Sequence, residues 1–128
     1  MLGFFGMFGR SREVRLLDEA VSEKGLSSWR VPGAMKITTV RLLKEAAGGR
    51  APDERAIRDA AALLAYCMLG RTHFAEANGV AETERVEARM EAALEAGDSL
   101  DACLVLLTIH AKEIQPGIVE RYDLEASR

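Results

Sequence analysis

Apolar side chains recur three and four positions apart along most of this chain, and nowhere do they alternate strictly with polar ones, so the pattern predicts helices and no strands. The first helix is expected over 11–24. Ser11 supplies the N-cap, Val14, Leu17 and Val21 share one face, and Gly25 ends it. After a turn carrying Trp29, Pro32 suits the first position of a second helix that runs to Ala47 and stops at Gly48-Gly49. Met35, Leu42, Leu43 and Ala46 form its stripe, flanked by Val40.

A third helix opens at Pro52-Asp53-Glu54 and closes near Gly70, with Ile57, Ala60, Ala61, Leu64, Cys67 and Met68 at helical spacing. A short segment over 73–77, capped by Thr72, precedes the Asn78-Gly79 turn. The fifth helix, 81–96, is expected to bury Val86, Met90, Ala93 and Leu94, leaving Glu84, Glu87, Glu91 and Glu95 as a solvated acidic ridge. Asp98 is the expected N-cap of a sixth helix over 99–113, where Leu100, Cys103 to Leu107, Ile109 and Ile114 leave only a thin polar stripe. A helix apolar almost all round belongs in the middle of its fold. The expected fold class is therefore all-α, a compact bundle of five to six helices around a central apolar helix near residues 99–113. A last turn over 118–122 precedes residues 125–128, which are expected to fray.

Ahead of this single helical domain, 11–124, residues 1–10 form an apolar arm. It holds Phe4, Phe5 and Phe8 with a glycine at every third position, followed by Arg10, Arg12 and Arg15. Glycine costs about 1 kcal/mol per interior helix position against alanine, so the arm is a poor lone helix. Each phenylalanine left in water forgoes about 2 kcal/mol of burial. The arm needs cover, from its own domain, a second subunit or a lipid surface.

Composition narrows the classes. No uncharged stretch reaches the roughly 18 to 20 residues of a membrane-spanning helix, and the arm's positive charge follows its apolar run, unlike a secretory signal. Cys67 and Cys103 show no metal or redox spacing, so a reducing, cytoplasmic setting is expected. Charge is uneven. Residues 1–50 carry nine Lys/Arg against five Asp/Glu, and residues 51–128 carry eight against fifteen.

Candidate chemistry is sparse. His73 and His110 each precede a glutamate by three positions, Glu76 and Glu113, so each pair shares a helical face, and two such helices facing each other would offer a metal four ligands. The order reverses the Glu-x-x-His of di-metal carboxylate bundles. No nucleophile elbow or phosphate loop is present, and no cofactor is implied. Lys36, Arg41 and Lys44 with Thr38 and Thr39 give the second helix a basic face, but the helix after it is near neutral and the sequence pI is about 5.5, so nucleic acid is not the expected partner.

The sequence thus leads to a small non-enzymatic helical protein that acts through protein contacts and self-associates, as a homodimer, through Phe4, Phe5 and Phe8 with the acidic fifth helix as a second surface. Peripheral membrane attachment through the same arm is the alternative, with the phenylalanines inserted and the arginines at anionic headgroups. Metal binding through His73/Glu76 and His110/Glu113 is the third.

Overall fold

The computed structural model describes residues 11–124, and among these the chain is all-helical, without strands. The expected arm, 1–10, and the expected frayed tail, 125–128, lie outside the described residues. Seven helices follow in order among them: α1 Arg12–Glu23, α2 Gly33–Ala46, α3 Glu54–Leu69, α4 Arg71–Asn78, α5 Val80–Ala96, α6 Leu100–His110 and α7 Pro116–Arg121, with a 3-10 turn, Ser28–Arg30, between α1 and α2.

Local signals set most of the boundaries. The Ser11 hydroxyl accepts from the Val14 amide and Asp53 accepts from the Ala56 amide, satisfying donors that the first turns of α1 and α3 leave open. At α6 the cap is Ser99, which accepts from Ala102 N, and not Asp98. α4 starts at Arg71 directly after Gly70, whose φ of +87° turns the chain, so the expected Thr72 cap lies inside the helix.

The hub of the fold is α3, not the 99–113 segment. Every residue from Ala60 to Met68 is buried, and α1, α2, α4, α5 and α6 all lean on this helix. Its alanines, Ala60, Ala61, Ala62 and Ala65, keep it thin, so neighbours approach from every side, and its charges are confined to the first two turns. α6 has the denser apolar composition yet packs mainly on α2, α3 and α5, leaving Leu106 43% exposed. Side-chain size raised its apolar content, but topology put α3 in the centre.

Two further expectations change. Leu94 on α5 is 42% exposed rather than buried. On α2, Lys36 is turned inward and its Nζ lies 2.8 Å from Asp18 Oδ1 of α1, while Thr39 is fully buried, so neither belongs to an outward basic face. No helix among the described residues is long and apolar enough to cross a membrane.

Candidate functional site

Within the uncharged run of α3 from Ala60 to Leu69 one side chain carries a polar group at its tip. Tyr66 is fully buried, its ring set edge-on to Phe74 of α4 at 5.6 Å, and a buried phenol needs a hydrogen-bond partner. The partner is Glu87 of α5. Tyr66 Oη donates to Glu87 Oε2 at 2.8 Å. Because that proton is committed, Tyr122, just beyond α7, is left to donate to the Tyr66 oxygen at 3.1 Å. Burial first, then these two neighbours, push the Tyr66 ionisation far above the ordinary phenol range, so it remains a neutral donor.

The same carboxylate oxygen holds two cations. Arg71, at the start of α4, donates from Nε at 2.8 Å, and Arg121, the last residue of α7, places its Nε at 3.3 Å. Glu87 therefore joins α3, α4, α5 and the α7 end at one point. The Arg121 guanidinium also lies 5.8 Å from the Tyr122 ring centroid, within cation–π range. Two guanidiniums against one carboxylate leave a surplus positive charge, and the side chains of Arg71 and Arg121 are 45% and 49% exposed.

Glu87 was expected on a solvated ridge with Glu84, Glu91 and Glu95. Those three are exposed, whereas Glu87 is 8% exposed. On the helical wheel Glu87 sits at the border of the inward stripe of Thr83, Val86 and Met90, and Tyr66 reaches it there. Sequence reasoning missed Tyr66, Tyr122, Arg71 and Arg121 as a group. The readable signal was Tyr66 itself, a hydroxyl inside an otherwise apolar helix.

Beside this cluster the surface is concave. A hollow of about 340 Å³ is bordered by Arg71, Thr72, His73, Gln115 and Arg121, and a second of about 440 Å³, bordered by Gly25, Arg30, His73 and Glu76, shares with it the wall formed by Leu69, His73 and Gln115. Gln115 is fixed in that wall: its backbone amide donates to the Cys67 carbonyl and its side-chain amide to the Met68 carbonyl, both at 2.9 Å, satisfying carbonyls at the α3 C-terminus. The 3-10 turn, whose Arg30 borders the second hollow, presents Trp29, 81% exposed.

The metal candidates do not assemble. His73 is exposed with Nδ1 3.3 Å from the Leu69 carbonyl, Glu76 is exposed in the second hollow, His110 is exposed at the end of α6, and Glu113 is half-buried beyond it. Among the described residues no three His, Cys, Asp or Glu side chains converge where they could hold a metal ion. Phe4, Phe5 and Phe8 lie outside the described residues. Cys67 is no available nucleophile, because burial pushes its thiol up to about 12. Comparison of the chain with protein-family models, curated proteins and solved structures gives no match.

Proposed function

We propose that this protein is a non-enzymatic helical module that works by protein contact, with a second copy of itself as the partner and Trp29 at the centre of the contact. The observation that carries the reading is Trp29, 81% exposed and next in the chain to Arg30, which borders the larger hollow. Tryptophan and arginine are the side chains that most often anchor protein interfaces, and a tryptophan left in water forgoes more burial than any other residue. A second copy suits the charge distribution. The basic first 50 residues of one copy match the acidic remainder of another, where Glu84, Glu91 and Glu95 stand exposed on α5. Phe4, Phe5 and Phe8, ahead of α1, add apolar surface to the same half of the chain.

Sedimentation equilibrium of the full chain tests this. A dimer mass is expected for the natural sequence, with dissociation shifted toward monomer at least tenfold in Trp29→Ala and in a variant with Phe4, Phe5 and Phe8 changed to Ser. A monomer mass for the natural sequence at 0.1 mM, on the order of the weakest specific association, refutes the reading.

A further inference from the structure

Glu87 is a buried carboxylate with more cationic partners than it can neutralise. Arg71 ties α4 and Arg121 ties the end of α7 to this one carboxylate, and together the two half-exposed guanidiniums carry one more positive charge than it neutralises. Both arginines meet Glu87 Oε2 through Nε, and both border the 340 Å³ hollow. Arg30 borders the adjoining hollow, in whose lining Glu76 is the acidic residue.

We propose that Arg71 and Arg121, positioned by Glu87, form a binding site for a phosphate monoester group, with Thr72, His73 and Gln115 completing its wall. Three properties of that ligand match the hollow. A phosphate monoester carries a charge of about −1.5 to −2 at pH 7, against the surplus positive charge of the arginine pair. Its terminal oxygens are tetrahedral, so two guanidiniums coming from separate helices can each take a different oxygen, whereas a planar carboxylate is matched by a single guanidinium fork. Thr72 adds a neutral hydroxyl donor at the rim, and the His73 ring stands beside it. Glu87 acts as a positioning residue. Its hydrogen bond from the fully buried Tyr66 anchors it to the most enclosed helix, so the two guanidiniums are presented from a fixed point. The site is independent of the Trp29 contact and requires no second copy.

Calorimetric titration of the full chain at fixed ionic strength, with inorganic phosphate, a phosphoserine hexapeptide and acetate as probes, tests the site. Saturable binding of phosphate at one site per chain is expected, at least tenfold tighter than acetate. A phosphopeptide that binds tighter than inorganic phosphate identifies a protein-borne phosphate, and the reverse order a free small phosphate. Arg121→Gln, in which Glu87 keeps Arg71 and Tyr66, is expected to weaken binding at least tenfold. Arg55→Gln, an exposed arginine roughly 20 Å away along α3, controls for net charge and is expected to change it less than twofold. In the unmodified protein, amide shifts induced by phosphate are expected at residues 71–73, 115, 117 and 118, a readout that does not depend on any variant folding. Absence of saturable phosphate binding, equal weakening by Arg55→Gln and Arg121→Gln, acetate binding as tightly as phosphate, or shifts centred elsewhere each overturn the proposal.

Discussion

Changing Glu87 to glutamine separates a clamp from a surface charge. The substitution keeps the shape of the side chain and removes its charge, so the bond from buried Tyr66 drops from charge-assisted to neutral, a loss of about 1 kcal/mol. The arginine links weaken less. Arg71 and Arg121 are close to half exposed, at 45% and 49%, and water screens them, so the two together add about another 1 kcal/mol. A destabilisation of about 2 kcal/mol is expected. Glu91→Gln, on the same helix but exposed, is expected within about 0.5 kcal/mol of the natural sequence. Urea unfolding followed by far-ultraviolet circular dichroism reads both. With the usual slope of about 1–3 kcal/mol/M, the Glu87→Gln midpoint moves down by on the order of 1 M while the slope stays constant. Indistinguishable midpoints for the two variants would refute the reasoning, because Glu87 would then behave as one more solvated ridge residue.

Gly25 has a φ of +93°, and a Cβ built there lies 2.7 Å from the Ala77 Cβ, so Gly25→Ala is expected to cost about 2–4 kcal/mol by chemical denaturation. Gly49→Ala, at φ +91° with open space around it, is expected to cost only the backbone share, about 1–2 kcal/mol, and equal losses at both positions would remove the close approach of α4 as the cause. At Glu82, burial raises the carboxyl pKa, but the hydrogen bonds from Lys24 and Arg85 outweigh it and hold the group below the ordinary glutamate range. A folded-state pKa below the unfolded one stabilises the fold above the unfolded value, and that stability is lost as pH falls through the folded value. The natural sequence is therefore expected to lose more stability than Glu82→Gln on acidification from pH 6 to 2.5, and parallel curves from urea titrations would contradict this. With an aromatic disulfide reagent at pH 8, half-buried Cys103 is expected to react in the native protein and Cys67 only after denaturant is added; labelling of native Cys67 at a free-thiol rate would show that its enclosure is breached.

The helical class was legible because period and punctuation are local. Ser11 and Asp53 cap where their positions implied, Pro32 and Gly48 bracket α2, and Gly97 ends α5 in the left-handed conformation glycine tolerates. Each of these is settled within a few residues. The centre of the fold was misread for the opposite reason. Counting apolar side chains favours the leucine-rich α6, whereas enclosure depends on how many neighbours can come close, and the alanines of α3 admit more of them.

The candidate site shows the same division. Histidine–glutamate spacing suggested a metal centre, but spacing only places two side chains on one face; whether two faces meet is a property of the packing, and here His73 and His110 are both on the outside. The cluster that does form draws Tyr66, Arg71, Glu87 and Arg121 from four helices across a span of more than fifty residues, so no local pattern could announce it. What the sequence determined alone was where helices start, stop and turn an apolar side inward, since caps, glycines and the 3.6-residue period act within one or two turns. Which helix lies innermost, and which of four similar glutamates is buried between two arginines, was decided only by the tertiary structure, because burial and charge pairing are set by neighbours distant in the chain.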